Sequence, residues 1–171
     1  DEELPEKNTL IKEGYEGYDI VLLMDNSTID NLFAFDDDEE SGKGNKAGFA
    51  IGGFTGQKSL GGSILNATFS HEVDILDLTL YTNKLTVNQG DLGLYGTDLT
   101  TDPVKQQPSK VFVHRGSLLA ENSSIFGASS EDFDLSVSYG NVMLNSSSIK
   151  KIHLGANSPE GGDTHRISTK E

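Results

Sequence analysis

The second half of the chain repeats one spacing of apolar residues. Three stretches of fifteen residues, which start at Leu78, Val111 and Leu135, align without gaps and carry apolar residues at the same five offsets. These residues are Leu78, Leu80, Leu85, Val87 and Leu92, then Val111, Val113, Leu118, Ala120 and Ile125, then Leu135, Val137, Val142, Leu144 and Ile149. Because apolar residues two apart share one face of an extended strand, each stretch predicts strands with a common buried face.

Polar tetrapeptides separate the apolar pairs within each stretch, and they read YTNK, HRGS and SYGN. Gly, Asn and Ser supply positive φ angles or side-chain-to-backbone bonds at a corner. The alternation of strand and corner predicts an all-β fold, a short single-stranded β-solenoid or β-helix of stacked coils. A β-sandwich of hairpins is the alternative, but a sandwich requires no common phase over fifteen positions.

The pattern also predicts the organisation of the chain. The predicted parts are a charged tail or linker at 1–9, irregular N-terminal coils or a cap at 10–70 with an acidic loop at 36–46, and solenoid repeats at 71–171 with an insertion loop at 96–110. The repeat starts lie 33 and 24 residues apart, and Pro103 and Pro108 mark the extra length as a loop. A cap is expected because an open sheet edge invites aggregation.

Composition and charge exclude several classes of function. Acids outnumber Lys and Arg by 27 to 13, so the formal charge of −14 argues against a nucleic-acid partner, whose affinity rests on basic residues. The chain contains no Cys, which removes disulfides, Cys-ligated metals and Cys nucleophiles. Its longest apolar stretch, Ile20 to Met24, is far shorter than the roughly 18 residues of a membrane span.

One segment of the third stretch resembles a known family. The runs SYGNV at 138–142, NSSSI at 145–149 and IHL at 152–154 are similar to the repeat unit of a bacterial adhesin family otherwise labelled a domain of unknown function. The resemblance covers about 73–158, and Asn141 stands where that family carries Asp. It implies a β-solenoid displayed outside the cytoplasm at the cell surface, anchored by a segment absent from this chain, without catalytic residues.

An acidic run is the first candidate site. The residues Asp36, Asp37, Asp38, Glu39 and Glu40 form a candidate cation loop, because Ca²⁺ favours several oxygen ligands on a bent loop. Consecutive carboxylates cannot all turn inward, however, and no D-x-D-x-D-G spacing is present. A solvated loop tip, partly neutralised by Lys43 and Lys46, is therefore the preferred interpretation. The prediction assigns no cofactor and no metal elsewhere.

Neither the histidines nor the acids suggest catalysis. The four histidines, His71, His114, His153 and His165, show no metal-binding spacing. Glycosidases hold two carboxyl groups about 5 to 9 Å apart. The equivalent positions of the three stretches carry Asp77, Lys110 and Asp134 at one corner and Asp91, Ser124 and Ser148 at the other, so neither set forms a continuous row of acids, and a solvated charged edge is the preferred interpretation.

The sequence thus predicts a non-enzymatic domain of the bacterial envelope that binds or scaffolds a protein or glycan on the envelope or a host surface. The insertion at 96–110 and the acidic loop are the expected recognition elements, since loops on a rigid scaffold usually carry recognition. We expect a monomer without a nucleic-acid partner or a membrane span in this chain. Two alternatives stay open, namely a polysaccharide-acting β-helix enzyme and an envelope-stress sensory or structural domain.

Overall fold

The fold consists of short parallel strands. A computed structural model describes residues 14–35, 48–54, 62–105, 107–126, 133–155 and 167–170. Within these ranges the strands, in chain order, are β1 Ile20–Leu23, β2 Thr28–Ala34, β3 Phe49–Gly52, β4 Ser63–Phe69, β5 Val73–Leu76, β6 Thr79–Thr82, β7 Lys84–Asn88, β8 Leu92–Tyr95, β9 Asp98–Thr101, β10 Ser109–His114, β11 Leu118–Glu121, β12 Ser124–Phe126, β13 Phe133–Ser138, β14 Val142–Asn145, β15 Ser148–Ile149, β16 His153–Gly155 and β17 Ile167–Lys170. No helix of the described ranges is long and apolar enough to cross a membrane.

The strands form two parallel sheets. The seven-stranded sheet has the order β1-β3-β5-β8-β11-β14-β17. The second sheet has the path β15-β12-β9-β6-β4-β7-β10-β13-β16, with β2 paired to β4 beside that path. Apolar side chains on the facing sides of the two sheets form one core, in which residues such as Leu85, Leu94 and Val113 have no exposed surface. Burying each such side chain contributes about 1.5–3 kcal/mol.

The all-β part of the prediction is confirmed, but the single-stranded solenoid of stacked coils with an irregular N-terminal cap is wrong. The parallel strands are gathered into two sheets, one of which curls into a half-barrel. Strand β4 is the physical reason, because its first residues pair with β6 and its last residues pair with β7. Strand β4 therefore joins the strands on the β6 side and the strands on the β7 side into one sheet. A solenoid of identical coils would keep these two sets of strands in separate sheets. Strands β1 to β4 lie within these sheets.

The register also corrects the phase of the first stretch. Val111 and Val113 pair with Leu85 and Val87, and not with Leu78 and Leu80. The second and third stretches do pair as aligned, with Val111 beside Leu135. The apolar offsets of each stretch reproduce themselves after a shift of seven residues, so the apolar pattern alone allows two phases. In the observed phase Gly90, Gly116 and Gly140 meet at one corner, where a Cβ atom on Gly116 or Gly140 would overlap the carbonyl oxygen of the preceding glycine.

Part of the predicted insertion loop is strand. Asp98–Thr101 form β9, which pairs with β6 and β12, and the chain returns to the second sheet at Ser109. The chain leaves the second sheet between Thr101 and Ser109, where the structure describes residues 102–105, 107 and 108. Asp102 stays buried there and accepts the Val104 N–H at 2.9 Å, which fixes the start of the excursion.

A column of hydroxyl groups supports the corners that follow β8, β11 and β14 of the seven-stranded sheet. The residues before these hydroxyls adopt positive φ, namely 60° at Gly96 and 48° at Asn122. The Thr97 N–H donates to Ser123 Oγ at 3.0 Å, and the Ser123 N–H donates to Ser147 Oγ at 3.1 Å. Each corner therefore satisfies a backbone donor of the preceding corner. We call Thr97, Ser123 and Ser147 the hydroxyl column.

Candidate functional site

A polar pocket lies at the corner opposite the hydroxyl column, where the chain passes from the second sheet into the strands of the seven-stranded sheet. This corner pocket has a volume of about 330 Å³ and is lined by Gly48, His71, Glu72, Gln89, Gly90, Asp91 and Arg115. Its residues come from the turns that precede β3, β5, β8 and β11. The parallel register brings these turns together because Phe49, Val73, Leu92 and Leu118 follow one another across the sheet.

Close approach of the backbones shapes this corner. Gln89, Arg115 and Tyr139 adopt positive φ angles of 58°, 55° and 61°, which turn the chain from one sheet to the other. The next residue is Gly in each case, and a Cβ atom on Gly116 would overlap the Gly90 carbonyl oxygen. The glycines thus keep successive turns in contact, and the side chains on either side of them project from the corner.

Hydrogen bonds between successive turns hold the acidic side of the pocket. Asp91 Oδ1 accepts the Ser117 N–H at 2.7 Å, and Ser117 Oγ accepts the Asn141 N–H at 2.9 Å. The Asp91 carbonyl oxygen also accepts the Val73 N–H at 3.0 Å. Because side chain and backbone of Asp91 are both engaged, its carboxylate has a defined position at the pocket wall.

The pocket has a distinct electrostatic character. Partial burial raises the pKa of Glu72, and the neighbouring carboxylates of Asp91 and Asp74 raise it further, while His71 acts in the opposite direction. A raised pKa means that the protein disfavours the ionised form of Glu72. A ligand hydroxyl or a cation that approached Glu72 would relieve this cost. Arg115 brings a guanidinium to the same pocket and can donate to a ligand oxygen.

Three rings lie beside the pocket, and we call Phe112, His114 and Tyr139 the ring row. The Phe112 and His114 rings stack with centroids 5.4 Å apart, and His114 meets the edge of Tyr139 at 5.9 Å. Ser138 Oγ lies 2.8 Å from His114 Nδ1 and fixes the imidazole. The row adjoins the pocket, since Arg115 follows His114 and the Gln89 N–H donates to the His114 carbonyl at 2.7 Å.

The three described histidines belong to different parts of the structure. His71 lines the pocket and His114 belongs to the ring row, whereas exposed His153 lies 3.5 Å from Asp134. No three acidic or histidine side chains of the described residues are placed to bind a metal ion. The candidate cation loop, Asp36, Asp37, Asp38, Glu39 and Glu40, lies outside those residues, as does His165.

Sequence reasoning missed that Glu72 and Asp91 share a pocket. Each acid immediately precedes the first apolar residue of a strand, and those two residues, Val73 and Leu92, pair across the sheet. Glu72 lies before Leu78, where the first of the three aligned stretches begins, so the alignment did not compare its position with that of Asp91. In the observed register the two acids stand at equivalent positions.

Comparison of the chain with protein-family models, with curated proteins and with solved structures found no match. The similarity to the adhesin family therefore stays a prediction that depends on the short runs between 138 and 154. The corner pocket and the ring row are the features of the described residues that suggest a function.

Proposed function

We propose that the protein is a non-enzymatic binding module that takes a glycan at the corner pocket and the ring row. The observation that carries this proposal is the combination of a polar cavity, with both hydrogen-bond donors and acceptors, and exposed aromatic surface beside it. Sites for small ligands combine a concave shape, apolar contact and a few convergent polar groups. Phe112 supplies apolar contact, since 37% of its surface is exposed.

The polar groups suit a ligand rich in hydroxyl groups. Glu72 and Asp91 offer carboxylate oxygens, whereas Gln89 and Arg115 offer N–H donors, so one hydroxyl can donate to an acid and accept from its neighbour. The apolar faces of sugar rings pack on aromatic side chains, which the ring row provides. A nucleic acid would meet the repulsion of the acids and the overall charge of −14.

The test is a glycan array followed by calorimetric titration of the best binder against variants. Phe112→Ala and Arg115→Ala are expected to weaken binding at least tenfold each, since tenfold corresponds to about 1.4 kcal/mol. Phe126→Ala is the matched control, because Phe126 lies on the same sheet with 36% of its surface exposed but is not part of the ring row or the pocket lining. Equal loss in Phe112→Ala and Phe126→Ala would contradict this location, and an array without any binder would contradict the glycan.

One observation favours a glycan-cleaving enzyme as the second candidate. Glu72 and Asp91 line one pocket, and the raised pKa of Glu72 is the property of a general acid beside an ionised partner. Incubation with the bound glycan and measurement of new reducing ends distinguishes the two functions. Release that disappears in Glu72→Gln would support the enzyme, and binding without release would support the module.

The cellular setting belongs to the same proposal. The resemblance to the adhesin family supports display on the outer side of a bacterial envelope. A binding module can reach its ligand from that location. Protease treatment of intact cells, followed by detection of the chain, tests this location. An envelope-stress sensory role would instead require a protein partner, which cross-linking in membrane extracts would reveal.

A further inference from the structure

The N-terminal end of the two sheets exposes an apolar cleft. This end cleft lies between β1 and β2, has a volume of about 420 Å³ and includes Phe49, Ile51 and Phe69 of the core among its lining residues. Its rim is exposed, with 52% of Ile20, 67% of Phe33 and 56% of Phe35 accessible to solvent. Phe49, which pairs with Ile20 on the neighbouring strand, is buried.

The outer edge of β1 has unpaired backbone groups within the described residues. In a parallel ladder, alternate residues direct their N–H and C=O groups to opposite neighbours. The N–H groups of Ile20 and Met24 bond to Gly48 and Gly52, so the even-numbered residues face β3. Val21 and Leu23 therefore direct their backbone groups to the outer edge, where no described strand pairs with β1. Such an edge accepts an added strand.

Most of the charge of the chain lies in the first 40 residues of the sequence. Residues 1–40 contain 14 acids and two bases, a net charge of −12 out of the total of −14. Residues 150–171 at the other end contain four bases, Lys150, Lys151, Arg166 and Lys170, against three acids. The two ends of the chain are thus electrostatically complementary.

We propose that the end cleft and the β1 edge bind the β17 end of a second copy of this chain. Strand β17 is the last strand of the sheet that β1 begins, and all its strands run in the same direction. Strand addition would therefore continue the sheet in parallel, with Ile167 of the second copy in register with Ile20. In the sequence Arg166 precedes this strand and Lys170 is its last residue, so two bases accompany the added strand.

This contact is head-to-tail, so it does not close on itself and leads to chains of copies. Sedimentation analysis of the full chain in 150 mM salt, from micromolar to millimolar concentration, tests it. The average mass is expected to rise continuously above 18.4 kDa. A constant monomer mass overturns the proposal and leaves the cleft to another partner. A plateau at the dimer also overturns it, because two N-terminal ends would then meet.

Val21→Pro gives a sharp variant, since proline removes the outward N–H of β1 without removing a bond to β3. Val21→Ala is the matched control, because it shortens the same side chain but retains the N–H. Val21→Pro is expected to abolish association and Val21→Ala to preserve it, with unchanged circular dichroism in both. A synthetic peptide of residues 164–171 should bind wild type at least tenfold more tightly than Val21→Pro. Equal behaviour of the two variants, or equal peptide affinity, would overturn strand addition at β1.

Discussion

Replacing Ser123 by Ala tests whether the hydroxyl column holds the corner of the sheets. Ser123 is 5% exposed, its Oγ donates to the Glu121 carbonyl at 2.8 Å, and the same Oγ accepts the Thr97 N–H at 3.0 Å. Ala removes both bonds and leaves the N–H of Thr97, a residue without exposed surface, lacking this acceptor. A buried donor left unsatisfied costs about 1–3 kcal/mol.

We expect Ser123→Ala to lower the free energy of unfolding by about 2–3 kcal/mol, the upper part of this range, because two hydrogen bonds are lost. For a chain of this size each kcal/mol shifts the melting temperature by about 2–4 °C, so the fall should be about 4–12 °C. Urea unfolding measures the free energy directly, provided that the slope against urea is the same in wild type and variant. Calorimetry supplies the melting temperature.

Two companion variants make this reasoning refutable. Ser123→Thr should stay within about 1 kcal/mol of wild type, because Thr97 occupies the equivalent corner and its Oγ1 donates to the Tyr95 carbonyl at 3.1 Å. Ser147→Ala should cost less than about 1 kcal/mol, since Ser147 is only half-buried and water can replace its Oγ. Equal losses in Ser123→Ala and Ser147→Ala would refute the role assigned to burial.

Three further changes test the corners and the pocket. Gly116→Ala should destabilise the fold by about 2–4 kcal/mol in urea unfolding, because its Cβ would overlap the Gly90 oxygen, while Gly155→Ala, whose Cβ has room, should cost under about 1 kcal/mol. Glu72→Gln should raise the melting temperature by about 1–3 °C at pH 7 and leave it unchanged at pH 3.5. Because the pKa of Glu72 is raised in the folded state, its contribution to stability is complete below the ordinary pKa of 4.5 and is lost as the pH rises through the folded-state pKa. An equal gain in melting temperature at both pH values would contradict this reasoning. Asp102→Ala should cost about 1–3 kcal/mol by the same unfolding measurement, since two loop N–H groups lose a buried acceptor; a neutral result would show that the loop holds without it.

The sequence predicted the strand content and most of the buried positions, because alternation of apolar residues depends only on the two-residue period of a strand. Val111, Val113 and Leu118 are buried as their offsets implied. The division into two sheets was not predictable in this way. It depends on β4, whose seven residues pair with two different strands, and no local pattern marks that division.

The candidate site was less accessible to prediction than the core. Glu72 lies before the three aligned stretches, and only the pairing of Val73 with Leu92 shows that it stands beside Asp91. The ring row was also missed, since Phe112 and His114 occupy outward positions where any polar or aromatic residue is tolerated. Outward positions are determined by function rather than by packing, so a single sequence carries little information about them.

The parallel register has a consequence for the speed of folding. Outside the pairing of β2 with β4, paired residues are separated by 17 to 29 positions, from Val137 with Leu154 to Ile20 with Phe49, so each strand must close a loop of moderate length before it gains a partner. Relative to a chain of 171 residues, such separations correspond to roughly 0.10–0.17 of its length, a range associated with folding between that of helical bundles and that of all-β sandwiches. Folding should therefore proceed by sequential addition of strands to an existing edge.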